Sequence, residues 1–316
     1  MSDIYELFNR KKEISVLEER FEVEDQFDIM EDIIQESDIQ FAQLQADIYM
    51  NELIIEEAMY DDFDEGRIQN LMESSFSEKK DKLIKFIQDK WAKLKAWFGR
   101  VVENVKGFFS RNKGSIKTKD GEGKKPDNSH IAAALQNSED VVTTPIFTDN
   151  DDASEKCYDL VAQLASLEYY ENNNMSLNDS KTKMLSDIGA HDKHGIKKVV
   201  ENFFIKNPKP VESKISDLDH KVIMNYALNE EGTIGMIHKC RRSIDGDFKK
   251  VIVRIRGAQQ FQDKNIDKEI TLFNYAMNLK GTIISAWIAC VKRIAVQCRS
   301  IVNKALGAKA NNDGDK

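Results

Sequence analysis

From Leu83 to Phe109 apolar residues recur at intervals of three and four: Leu83, Phe86, Ile87, Trp91, Leu94, Trp97, Phe98, Val101, Val102, Val105, Phe108 and Phe109. That is the period of one face of an α-helix. Lys79, Lys82, Lys85, Lys93, Arg100 and Lys106 occupy much of the remaining surface. The pattern predicts a basic amphipathic helix over 79–110, with Ser77 placed to cap its start and Glu78 in its first turn.

Upstream, Leu17, Phe21, Phe27, Ile29, Ile33, Ile34, Phe41, Leu44, Ile48 and Leu53 recur mostly at helical intervals, with carboxylates between them. They predict one or two amphipathic helices from Ile14 to Ala58. The polar face is almost uniformly negative and repels itself unless it meets a basic partner or counterions. DDFDEG at 61–66 predicts a break, followed by a short helix over 67–74.

Downstream, residues 111–130 hold three glycines, one proline and little that is apolar, so they predict a flexible linker. A small helix over 131–136 and an extended VVTTPIF at 141–147 follow, then an acidic joint at 149–152. Helices are predicted over 154–170, 177–188, 195–205 and 211–228, separated by ENNNMS, GAHDKH and NPKP. A longer pair covers 232–262 and 266–306. VIVRIR at 251–256 reads as helix, with strand as the alternative its β-branched residues allow. The broad apolar pattern after Ile266 lacks a clean heptad seam and favours packing within the chain. Residues 308–316 read as a disordered tail. The predicted class is all-α: an acidic helical arm over 1–78, the basic helix over 79–110, the linker over 111–130 and a bundle-like helical body over 131–307.

Composition supports helix, since proline (4) and glycine (15) are scarce in 316 residues, 32% of which are charged. The net charge of −8 conceals a partition. Residues 1–78 hold 23 Asp and Glu against 5 Lys and Arg, a net of −18. Residues 79–125 hold 15 Lys and Arg against 5 Asp and Glu, a net of +10, and the rest balances at 26 against 26. The acidic and basic segments can therefore attract each other.

Four cysteines, Cys157, Cys240, Cys290 and Cys298, show neither metal-ligand spacing nor a paired framework, so reduced and semi-buried thiols are expected. The opening MSDIYELFNRKKE lacks the apolar core of a signal peptide. GTIISAWIACV at 281–291 is the most apolar run and is too short to span a membrane, so a buried helix segment is expected.

Little in the sequence marks a reaction. His191 and His194 are three residues apart without the Glu of a metalloprotease pattern, with His220 farther on, and no metal or other cofactor is expected. His238 and Cys240 are two apart and would point to different faces of a helix. No phosphate loop, nucleophile elbow or dinucleotide fingerprint is present, and a non-enzymatic role is expected.

The basic helix, with Lys82, Lys85, Trp91, Lys93, Trp97, Phe98, Arg100 and Phe108 as its candidate interaction residues, has three readings. Its aromatic and lysine faces suit a membrane surface. Its charge suits nucleic acid, although its aromatics lie on the apolar stripe and not among the lysines, where bases would stack. A packing helix needs only to bury the stripe.

The acidic helical arm, the abrupt switch to KLIKFIQDKWAKLKAWF, the polar linker and the helical body together resemble, over residues 1–125, the internal head and prohead-core proteins of large tailed bacteriophages. In that family a maturation protease cuts after Glu in sequences of Ile or Leu, any residue, Glu, then a small residue. Three tetrapeptides here have that form, placing candidate cuts at Glu36/Ser37, Glu57/Ala58 and Glu73/Ser74. The resemblance implies a virion structural protein, assembled in the host cytoplasm and contained in the head. Its partners would be other capsid proteins, further copies of itself, packaged DNA held without sequence preference, and the maturation protease. Cleavage after Glu73 would discard most of the negative charge and leave a basic N-terminus. The alternative from a different class is a membrane-associated phage effector that binds lipid through the 79–110 helix.

Overall fold

The computed structural model describes residues 65–116, 126–164, 175–257 and 265–307. Of these, 81% are helical, in eight helices accompanied by one two-stranded sheet, so the fold is mostly all-α. In chain order the elements are α1 (Glu65–Gly114), α2 (Asn128–Asn137), β1 (Val141–Phe147), α3 (Asn150–Gln163), α4 (Leu177–Asp187), α5 (Lys193–Phe204), β2 (Ile205–Lys214), a 3-10 turn (Ile215–Asp217), α6 (His220–Leu228), α7 (Glu230–Gly257) and α8 (Asn265–Ala305).

Contacts divide the described chain into two compact units. The first draws on residues 65–98, 164, 175–184, 241–257 and 265–281, the second on 99–116, 126–163, 185–240 and 282–307. The long helices α1, α7 and α8 each contribute residues to both.

The core of the first unit is three helical stripes. Leu83, Ile87, Leu94 and Trp97 of α1, Ile244, Phe248, Val251 and Ile255 of α7, and Ile270, Phe273 and Met277 of α8 are all buried, at spacings of three, four and seven. Trp91 stacks on Phe248 at 4.9 Å between ring centroids, and Phe248 meets Phe273 edge to face at the same separation. Two lysines enter this core. Lys90 donates to Asn274 Oδ1 at 2.9 Å, and Lys280 donates to Asp247 Oδ2 at 2.6 Å.

The second unit is organised around the C-terminal part of α8. Ile283, Ile284, Ser285, Ala286, Trp287 and Ile288 are all buried in succession, the pattern of a helix surrounded by others. The apolar run at 281–291 is thus interior, and no helix among the described residues is long and apolar enough to cross a membrane. Trp287 Nε1 donates to Ser154 Oγ (2.9 Å) and Ser154 Oγ donates to Asn150 Oδ1 (3.2 Å), which ties α8 to α3 through groups out of reach of water. Tyr226 of α6 donates to the Thr148 carbonyl at 2.9 Å, fixing the strand end against the same core.

β1 and β2 pair antiparallel with Val141 opposite Lys214 and Thr144 opposite Val211. The register shifts between Thr144 and Ile146, whose partners are Val211 and Asn207, so Pro208, Lys209 and Pro210 fall in the irregular stretch. A proline has no N–H to give a ladder, and an irregularity is where a strand tolerates one. The ladder continues beyond the strands through the Ile215 amide to the Asp140 carbonyl at 2.9 Å.

Several predicted elements stand and several need correction. The extended 141–147 segment, the helices near 131–136, 177–188 and 195–205, and the long final pair are present with shifted ends. The 251–256 stretch is helix within α7, where Val251 and Ile255 face the core. The helix predicted to begin near Ser77 instead begins by Glu65 and continues through that position, so Ser77 is no cap. A serine followed by a glutamate satisfies the cap pattern without any break in the chain. The stretch predicted as helix over 211–228 is strand to Lys214, then a 3-10 turn, then α6, because its first residues complete the ladder with β1. The acidic joint at 149–152 is the start of α3, whose first turn carries Asp151 and Asp152. At the predicted linker α1 runs to Gly114, Ile116 is buried, and Asp127 caps α2 by accepting from the His130 amide at 2.7 Å. Residues 117–125 and the arm over 1–64 lie outside the described residues, as does the 308–316 tail.

Candidate basic interaction surface

The apolar stripe of the basic helix is interior. Trp97 is 2% exposed and Phe98 1% in the first unit, and Phe108 is 3% exposed in the second, where the Lys292 ammonium lies 5.6 Å from its ring centroid. Trp91 is half-buried against Phe248. In this structure Trp97, Phe98 and Phe108 are packed inside the protein, and Trp91 is partly covered by Phe248.

The charged residues are on the other side of the same helix. In the first unit Lys85 is exposed, and Lys82 and Lys93 are half-exposed, with Lys82 paired to Glu78 at 3.1 Å. Arg100 is exposed in the second unit.

Sequence reasoning missed the partner that enlarges this surface. The C-terminal half of α7 runs antiparallel to α1, as Trp91 against Phe248 and Lys80 Nζ on the Arg256 carbonyl (2.9 Å) show. The Lys80 ammonium sits where the last carbonyls of α7 lack intrahelical donors, a favourable place for positive charge. Lys249, Lys250, Arg254 and Arg256 are exposed on that half of α7. Arg254 reaches Glu269 of α8 at 3.2 Å, and Lys249 reaches Asp245 at 2.5 Å.

Between α1 and the end of α7 lies an open cleft of about 900 Å³, lined by Ser77, Lys80, Asp81, Lys85, Asp89 and Arg256 with Ile84 and Gln88. Its two carboxylates, Asp81 and Asp89, are eight residues apart on one helix, about 12 Å along the axis. That is too far for a shared acid/base pair. The lining carries three cations against these two carboxylates, a small excess of positive charge.

The charge is concentrated in one unit. The described residues of the first unit hold 18 Lys and Arg against 10 Asp and Glu, a net of +8. Those of the second hold 17 against 17. Counting along the chain averages the two together. The signal that could have found the surface was the KK and RIR spacing on α7.

The candidate cuts Glu36/Ser37 and Glu57/Ala58 lie outside the described residues. The backbone at Glu73 and Ser74 is helical within α1, so a protease that needs extended chain must first unwind that part of the helix. His191 is exposed in a bend, His194 is in the first turn of α5, and His220 Nε2 is 3.1 Å from the Ile215 carbonyl. Among the described residues no cluster of three His, Cys, Asp or Glu could hold a metal. His238 is exposed and Cys240 buried, the divergence expected of residues two apart on a helix. All four cysteines are free thiols, buried more deeply than the sequence indicated. Burial pushes Cys290 up to about 12 and Cys157 and Cys298 higher still.

What the described residues define is a mostly helical protein with a net positive first unit and an open cleft of mixed charge on it. No protein-family model, curated protein or solved structure matches the chain.

Proposed function

We propose that this is a non-enzymatic structural protein of a tailed bacteriophage virion, an internal head or prohead-core component that is matured by cleavage in its acidic arm. The observation that carries the reading is the reversal of charge beside Glu73, from −18 over residues 1–78 to +10 over 79–125. A net charge of +8 on the described part of the first unit supports contact with DNA phosphates by counterion release, which needs no sequence readout. Before assembly the protein resides in the host cytoplasm with its arm intact; in the particle it contacts other capsid proteins and packaged DNA.

The test is peptide mapping of purified particles, with determination of the protein's N-terminal residue. A new N-terminus at Ser74, Ala58 or Ser37 is expected. A particle that retains residues 1–73 on every copy removes maturation cleavage, and absence of the protein from particles overturns the reading.

A further inference from the structure

We propose that the basic face of the first unit, formed by α1 and the C-terminal half of α7, is the docking surface for the chain's own acidic segment, residues 1–64. The proposal does not rest on the virion assignment.

Charge decides the pairing. Residues 1–64 hold 20 Asp and Glu against 4 Lys and Arg, a net of −16. Outside residues 1–64, the sequence assigned to the first unit carries a net +6 and that assigned to the second a net +2, so attraction favours the first unit. Lys80 and Lys85 of α1 and Arg256 of α7 line the open cleft together with Ile84 and the carboxylates of Asp81 and Asp89, and Lys82, Lys249 and Lys250 lie on the same two antiparallel helices outside it. A carboxylate-rich chain with isoleucine and phenylalanine at helical intervals complements the three cations and Ile84, while Asp81 and Asp89 oppose it, so the match rests on the excess of lysine and arginine over the unit.

Connectivity makes the chain's own segment the occupant. It joins α1 at Glu65, and the lysines begin 14 residues farther on, about 21 Å along the helix. A chain of 64 residues can reach back over that distance many times over. Tethering gives an effective concentration of about a millimolar, well above that of a second copy at micromolar protein. An external polyanion must therefore displace the segment to reach the surface.

The experiment is zero-length carbodiimide coupling of the full-length protein at low salt, followed by peptide mapping. Carboxylates of residues 1–64 are expected on Lys82, Lys85, Lys249 and Lys250 at about fivefold the yield found on exposed lysines of the second unit, Lys197, Lys198, Lys206 and Lys209. The preference should vanish at about 1 M salt, where the screening length is about 3 Å. An equal mixture of ¹⁵N-labelled and unlabelled protein should give crosslinks within one isotope only. Even distribution over both units, no crosslinks at all, or mixed-isotope crosslinks would each overturn the proposal, the last by making a second copy the occupant. None of these outcomes bears on the N-terminus found in particles.

Discussion

Lys280 Nζ donates to Asp247 Oδ2 at 2.6 Å, with 0% and 4% of the two side chains exposed. An ion pair this deep stabilises only while both members are present. Lys280→Met is expected to destabilise the protein by about 3–5 kcal/mol, and adding Asp247→Leu should restore much of the loss. Denaturant unfolding of the two single variants and the double variant measures the coupling.

The same pair sets a pH dependence. Burial raises the Asp247 carboxyl above its usual range, against the opposing pull of Lys280. A group raised on folding contributes stability that is complete below its unfolded value, near 3.8, and is lost as pH rises through the folded value. Removing Lys280 takes away the opposing pull, so the loss in Lys280→Met should be smaller near pH 4 than at pH 7. Equal losses at both would mean that Asp247 stays ionised without its partner.

Gly232 and Gly246 should respond oppositely to alanine. A Cβ on Gly232 would overlap the Asn229 side-chain amide, and that side chain caps α7 by accepting from the Gly232 amide at 2.8 Å. Gly232→Ala is expected to cost about 1 kcal/mol through the displaced cap. Nothing lies within 4 Å of a Cβ on Gly246, in the interior of the same helix, so Gly246→Ala should stabilise by about 0.5–1 kcal/mol. Thermal unfolding of the two variants checks both signs.

The two faces of α1 should separate in mutagenesis. Trp97→Ala removes a side chain 2% exposed and is expected to cost about 3–5 kcal/mol. Lys85→Gln, on the exposed side, should change stability by less than about 0.5 kcal/mol. A mild Trp97→Ala effect, accompanied by binding to anionic vesicles that the substitution abolishes, would restore the lipid reading.

The four thiols should be silent in the native protein. All are buried, and burial holds Cys157, Cys290 and Cys298 far from the thiolate form. A thiol reagent at pH 8 should label none on the timescale on which it labels all four after unfolding. Rapid labelling of Cys290 in native protein would contradict its burial.

The sequence by itself determined that the chain is helical, because apolar spacing of three and four leaves one way to bury Leu83, Leu94 and Trp97 together. It determined as well that 281–291 is interior and that 141–147 is extended, since β-branched residues and Pro145 disfavour helix there. Tertiary structure alone decided what pairs with that strand. NPKPVESK carries no alternation that reads as β, and becomes a strand because β1 offers its backbone a partner. It also decided that Ser77 lies within a helix and that the lysines of α1 and the arginines of α7 share one unit. Helical periodicity shows which residues face inward. It does not show which distant helix supplies the other wall, because that depends on complementarity between faces far apart in the chain, such as Trp91 and Phe248.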